Sequence, residues 1–246
     1  MTPPSGLDLC LRGVQKSQGS FVLGPVSLRY ATGVTALLGA NGAGKTTLMR
    51  LAVGLLDPDR GDVVLGGYPL ASQGGLVGYL PQDFAAPKGV KVKDYLRFIA
   101  WCRSRRGRTL GDCDVQDALS KVELDTKSAS KIGTLSGGMV RRLGIAQALI
   151  GGTDVIVLDE PTVGLDPVQR RELRRLLELL GTHATVILST HLSEDVAAVA
   201  SHVTVLHEGV IVHDASVQSL IDLGGLAERS GDAVERGFLA AIGSRE

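Results

Sequence analysis

Aromatic residues are scarce in this sequence, at 4% with a single Trp. So thin a supply argues against a surface that stacks the bases of a single strand. Surplus charge is missing too, because Lys+Arg and Asp+Glu both number 26. That balance argues against holding nucleic acid through bulk positive charge and leaves only a local patch as a route. Cysteine is limited to Cys10, Cys102 and Cys113. An odd count without C-x-x-C spacing reads as reduced thiols in a cytosolic chain, not as a disulfide framework or a zinc site. No apolar run approaches the ~18 residues of a membrane-spanning helix. Met1–Gly6 lacks the basic-then-apolar pattern of a signal segment. Work at a membrane is therefore expected to need another chain to bring this one there.

What is present suits a folded chain. Its 246 residues are 44% hydrophobic and 21% charged, enough for one large α/β domain or two small ones with a buried core. The 32 glycines predict many tight turns and close backbone approaches. Short apolar runs alternate with helical stretches. Val34–Leu38, Val63–Leu65, Val77–Leu80, Val155–Leu158, Thr185–Leu188 and Val203–Leu206 read as strands. Glu208-Gly209 should turn the last of these back into Val210–Val212 as a hairpin. Helices are expected from about Gly44, over Val92–Arg103 and Val115–Val122, and from N-caps at Ser136 and Asp166. After Asp166 comes Pro167, suited to a first helical position. Leu173, Leu176, Leu177 and Leu180 then fall on one face, with Arg170, Arg171, Arg174, Arg175 and Glu178 on the other. The pattern is α/β with a largely parallel sheet. The tail beyond about Ile221 is weakly patterned and carries no assignment.

Gly39-Ala40-Asn41-Gly42-Ala43-Gly44-Lys45-Thr46 matches G-x-x-x-x-G-K-[ST] between a predicted strand and a predicted helix. Glycines let successive N–H groups turn toward phosphate oxygens, and the helix start adds its positive end. Lys45 supplies a point charge for the β- and γ-phosphates, and the Thr46 hydroxyl is placed for Mg²⁺. Val155–Leu158 runs into Asp159 and Glu160, putting two carboxylates at the C-terminal edge of a buried strand, where parallel sheets bind ligands. Asp159 is the expected Mg²⁺ partner and Glu160 the expected base for the attacking water.

Leu135-Ser136-Gly137-Gly138-Met139, followed by a helical stretch to Leu149, resembles the signature segment of ATP-binding-cassette (ABC) ATPases. The resemblance covers about Leu7 to Leu220, with the landmarks in the family's order. Gln82, in Tyr79-Leu-Pro-Gln-Asp-Phe84, stands at the Q-loop position. Asp166 matches the D-loop and His191, in Ser189-Thr-His-Leu192, the switch histidine. Met139 stands where many signatures have Gln. Where many relatives carry an aromatic that stacks on adenine, this chain has Gln18, and the nearest aromatics are Phe21 and Tyr30.

The resemblance implies one P-loop ATPase domain over residues 1–246. It would have a mainly parallel central sheet, an N-terminal antiparallel β subdomain and a helical subdomain inserted at about residues 87–150. The implied nucleotide contacts are Gly39 to Thr47 (with Ala40, Asn41, Gly42, Ala43, Gly44, Lys45 and Thr46 between), Ser136, Gly137, Gly138 and Asp166. The implied catalytic set is Glu160, His191 and Gln82, and the implied Mg²⁺ set is Thr46, Gln82 and Asp159. In this family the signature completes the site of the opposite subunit. The resemblance thus implies a head-to-tail dimer, of two copies or of two related chains, closed around two ATP molecules.

The phrases Leu80–Phe84 and Lys131–Leu149 are most similar to ATPases of bacterial exporters for drugs, antibiotics or polymers. The expectation is an ATP-hydrolysing exporter subunit, cytoplasmic and peripheral on the inner face of the plasma membrane. It would drive a separate transmembrane permease and bind no nucleic acid. The alternative is a soluble single-cassette ATPase serving an assembly scaffold, as in iron–sulfur cluster biogenesis. A translation factor would carry two cassettes and a charged linker. A chromosome-organising ATPase would place a long coiled coil between Lys45 and Ser136, where no heptads are sustained. Tyr95, Phe98 and Trp101 form a partly apolar stripe that reads as core packing, the other reading being contact with the permease. Arg103, Arg105, Arg106 and Arg108 read as a solvated loop, with contact to a partner or lipid head groups as the other reading.

Overall fold

The computed structural model describes residues 8–73, 77–104, 109–225 and 228–243. Met1–Gly6, Arg105, Arg106 and Arg108, on which sequence expectations fell, lie outside them. In chain order the elements begin with strands β1 (Leu9–Gln18), β2 (Phe21–Tyr30) and β3 (Gly33–Leu38), then helix α1 (Lys45–Ala52). Strand β4 (Arg60–Leu65), β5 (Tyr68–Pro69), the short α2 (Leu70–Gln73) and β6 (Val77–Leu80) follow. Helices α3 (Val92–Arg103), α4 (Asp112–Lys121) and α5 (Gly137–Leu149) come next. The chain closes with β7 (Val155–Asp159), α6 (Pro167–Gly181), β8 (Thr185–Thr190), α7 (Ser193–Val199), β9 (His202–His207), β10 (Val210–Ser216), α8 (Val217–Leu223) and α9 (Gly231–Gly243).

Two sheets result. An antiparallel sheet runs β2-β1-β4-β5, and a six-stranded sheet runs β10-β9-β3-β8-β7-β6. The second is parallel from β9 through β6, with β10 antiparallel at one edge. Strands β7 and β8 are buried at every position, which is why, up to the carboxylate of Asp159 that ends β7, their sequences are apolar or small rather than alternating. Parallel register then fixes the site. Leu38 pairs with Thr190, and Asp159 pairs with Ser189. The residues that follow, Gly39, Glu160 and His191, therefore emerge at one sheet edge, the carboxyl edge where such sheets bind ligands.

The Leu stripe of α6 is buried at Leu173, Leu176, Leu177 and Leu180. Asp166 caps this helix, its carboxylate accepting from Val168 N and Gln169 N at 2.9 Å each. The Glu208-Gly209 turn has both residues at positive φ, 47° and 80°, the backbone a two-residue hairpin needs.

The structure corrects several expectations. Phe98 and Trp101 are 57% and 72% exposed and stack on each other with centroids 6.2 Å apart. The buried face of α3 is instead Val92, Leu96 and Ala100. Steps of three residues fall ~60° short of a turn, so the 95/98/101 stripe rotates off that face. Only Tyr95 keeps partial burial, with its hydroxyl bonded to Gln147 Oε1. Arg103 is no free loop residue, for it donates to the carbonyls of Ala148 and Ile150 at 3.0 and 2.9 Å, at the end of α5. Helix α4 starts at Asp112, three residues before the expected Val115, because Asp114 Oδ2 accepts from Gly111 N at 2.9 Å and closes the first turn. The tail left unassigned beyond Ile221 holds α9, packed on α7 and α8.

Candidate functional site

The phosphate-loop segment bridges β3 and α1. Gly42 and Gly44 have φ of 83° and 105°, the left-handed region that glycine enters without strain. Gly39 is required for a different reason. A Cβ there would lie 2.4 Å from the carbonyl oxygen of Leu206, on the neighbouring strand β9. The β9–β10 turn also braces the loop, since Gly209 N donates to Ala43 O at 3.0 Å. The loop is thereby held as a concave rim ahead of the N-terminus of α1.

Lys45 is 7% exposed, and its Nζ donates to the carbonyls of Gly39 at 2.7 Å and Ala40 at 3.1 Å. It also lies 3.8 Å from Glu160 Oε1. Burial lowers the Lys45 pKa, and the charges of Glu160 and Asp159 oppose that shift. Thr46 Oγ1 donates to Asp159 Oδ2 at 3.0 Å, and the other Asp159 oxygen accepts from Ser189 Oγ at 2.6 Å. A hydroxyl beside a carboxylate is a hard-oxygen pair of the kind Mg²⁺ takes. Among the described residues no group of three or more His, Cys, Asp or Glu gathers around one point. A cation held here would draw most of its shell from phosphate and water, as Mg²⁺ usually does.

Glu160 has φ of 49°, unusual for a non-glycine residue. Its N–H donates to Ser189 Oγ at 2.9 Å. The turn continues with Val163 N bonded to Glu160 O. These bonds hold a conformation that costs about 1–3 kcal/mol. The Glu160 carboxylate is buried, and its oxygens lie 2.8 and 3.0 Å from His191 Nδ1. His191 itself has 42% of its side chain exposed. Lys45, Thr46, Asp159, Glu160 and His191 thus form one connected cluster.

Gln82 is brought to the same sheet edge, after β6, but its side chain is exposed and no hydrogen bond joins it to Thr46 or Asp159 among the described residues. Its carbonyl accepts from Arg141 Nη1 of α5 at 2.9 Å, and burial lowers the pKa of that guanidinium. Phe84, two residues on, packs where a Cβ on Gly144 of α5 would stand, at 3.0 Å. The segment after β6 is therefore pinned to α5 by backbone and ring.

Ser136 caps α5, its Oγ accepting from Met139 N at 3.3 Å. Ser136, Gly137 and Asp166 are exposed, and Gly138 lies against Gln169 of α6. None of them lines the cavity of about 300 Å³ beside Lys45, which is walled by Gln18, Phe21, Gly42, Gly44, Thr46 and Thr47. Gln18 is exposed, with its Oε1 accepting from Thr47 Oγ1 at 3.3 Å. Of the two nearby aromatics, Phe21 reaches this cavity. Tyr30, at the other end of the same strand β2, is buried, and burial raises its pKa.

Sequence reasoning missed Ser189, Arg141 and Asp195, the buried partner of Arg174. Ser189 had a signal. It is the last residue but one of the buried strand β8, two residues before His191, where a small hydroxyl can reach the neighbouring strand end. Arg141 had none, since a charge near the start of a helix is more often solvated.

The family model described as ABC transporter matches residues 23–163. A "Nod factor export ATP-binding protein I" of Burkholderia orbicola is 35% identical over 224 residues, covering 86% of this chain and 71% of the relative. One from Bradyrhizobium diazoefficiens is 34% identical over 225 residues, covering 89% and 73%. A solved "ATP binding subunit of ABC transporter" superposes with a TM-score of 0.78 over 94% of this chain and 99% of that one, at 23% identity, a likeness of fold.

Proposed function

The chain belongs to the ABC transporter family as one of its ATP-binding proteins, and from that premise we propose that it powers an exporter. In this reading two cassettes close head-to-tail around two ATP molecules and drive a separate membrane-spanning permease. The observation that carries it is the cluster at the sheet edge. Glu160 is held between His191 and Lys45, at 2.8 and 3.8 Å, beside the Thr46–Asp159 pair. That is a carboxylate placed for a water molecule next to a loop shaped for a triphosphate.

The residues take these roles. The loop N–H groups of Gly39 to Thr47 and the start of α1 hold the β- and γ-phosphates. Lys45 gives its charge to the same oxygens. Thr46 and Asp159, with Gln82 moving in, would hold Mg²⁺, which when bound neutralises developing charge on the phosphates. Glu160 accepts the proton of the attacking water, and His191 orients its carboxylate. Ser136, Gly137 and Asp166 are exposed and Gly138 half-buried, and the four would complete the site of the opposite cassette. The name of the export relatives favours the exporter over the assembly-scaffold alternative, which no comparison supports. In the described residues no helix is long and apolar enough to cross a membrane, in keeping with attachment to a separate permease at the inner membrane face.

The test is a pull-down from solubilised membranes with Glu160→Gln held in ATP, with partners identified by mass spectrometry. A multi-spanning membrane protein recovered in stoichiometric amount is the expected result. A soluble scaffold with no membrane chain would overturn the exporter reading and keep the ATPase chemistry.

A further inference from the structure

Behind the site lies a buried ionic junction that the roles above leave unused. Asp195 of α7 is 1% exposed. Its Oδ2 accepts from Thr162 Oγ1 at 2.5 Å. Its Oδ1 accepts from Arg174 Nε of α6 at 2.8 Å and from Nη2 of the same guanidinium. Thr162 is itself 2% exposed. The three groups come from three segments. Thr162 is two residues past Glu160, Asp195 is four past His191, and Arg174 lies in the helix capped by Asp166.

The Thr162–Asp195 bond therefore joins the same two chain segments as the Glu160–His191 contact and runs behind it. One cross-link ends on the half-exposed His191, where the nucleotide would act. The other is buried and charge-assisted, the stronger class of hydrogen bond. Buried ion pairs often add little to net stability when compared with apolar packing, and their best-attested use is to select one arrangement.

We infer that Asp195, with Thr162 and Arg174, is a positioning group that sets the distance between Glu160 and His191 and couples it to the helix carrying Asp166. The inference rests on the hydrolytic reading of Glu160 and His191. None of the three groups lines the cavity beside Lys45, so their effect runs through the two loops. Losing the inner cross-link frees the loops to slide, and a misplacement of about 1 Å costs up to ~10²-fold in rate.

The experiment uses the purified full chain and compares Thr162→Val with Thr162→Ser. Valine keeps the shape and removes the hydroxyl, whereas serine restores it. Expected for Thr162→Val is a kcat lower by roughly tenfold to a hundredfold, with KM and the affinity for a fluorescent ATP analogue within about twofold of the parent. Thr162→Ser should recover most of the kcat. In a His191→Ala background Thr162→Val should cost nothing more, because the interaction it serves is already gone. Unchanged kcat, or a loss matched by equal loss of nucleotide affinity, or a loss undiminished in the His191→Ala background, overturns the inference. If Thr162→Val does not fold, Arg174→Lys keeps the charge without the fork and must give the same split, and parental kcat there is equally fatal. Glu160→Gln is run alongside. Near-normal turnover in it would overturn the hydrolytic reading and this inference together, whereas its loss beside an unaffected Thr162→Val overturns this inference alone.

Discussion

On the proposed reading, single residues at the sheet edge divide between binding and turnover. Glu160→Gln keeps the size and the left-handed backbone position of Glu160 and removes only its basicity. Turnover is expected to fall by ~10²–10⁴-fold while ATP affinity, read by calorimetry, stays close to the parent. Gly39→Ala should do the opposite. Its Cβ would sit 2.4 Å from a backbone oxygen that cannot rotate away, so the loop itself must shift. The expected result is weakened nucleotide binding together with a loss of about 1–3 kcal/mol in stability, by urea unfolding. Lys45 gives a pH dependence with a definite sign. Burial lowers its pKa in the free protein, and bound phosphates favour the charged form. Nucleotide affinity should then decline as pH rises through that lowered pKa, beginning below the usual lysine value of about 10.4. Calorimetry from neutral to alkaline pH checks it, and Lys45→Arg should flatten the decline.

At the scale of elements, helix ends and close approaches matter more than propensity. The interior of α6 follows from its leucine stripe, but its start depends on the two bonds to Asp166. Helix α9 is the converse case. It carries Gly231, Gly237 and Gly243, each a poor helix residue in isolation. Gly237 is there because a Cβ would meet the carbonyl oxygen of Leu220 at 2.0 Å where α8 and α9 cross. This is why the tail carried no legible pattern, since the glycine that weakens the helical signal is the one that lets the helix dock. Gly237→Ala should therefore destabilise the protein, by roughly 1–3 kcal/mol in thermal or urea unfolding, although alanine is the better helix former. The exposed pair Phe98 and Trp101 makes the same point from the other side. Neighbours in sequence spacing need not share the buried face.

For the whole molecule, the main consequence of the proposed reading is that each site needs residues from two chains. Among the described residues, Ser136–Gly138 do not wall the cavity beside Lys45. If two chains complete each other's sites, Ser136→Arg and Lys45→Ala should each be inactive alone. Their mixture should regain part of the ATP turnover, because one of the two composite sites in a mixed pair then holds neither substitution. Absence of any recovery at equimolar mixing, with both variants folded, would count against the shared site.

The sequence by itself determined the phosphate loop, the carboxylate pair, the order of the landmarks and most strand cores. These are local statements, in which spacing and residue type carry the physics. Gly39 to Thr46 and Val155 to Glu160 were readable because a turn, a helix start and a buried strand each leave their mark within a few residues. Only the tertiary structure decided the rest. Parallel register put Ser189 on Asp159 and His191 on Glu160 across 30 and 31 residues of chain. Folding also drew Asp195 to Thr162 and Arg174, tied Arg141 to the carbonyl of Gln82, and turned Trp101 outward. Such contacts depend on which strands are neighbours and how helices cross. No short window of sequence contains that information.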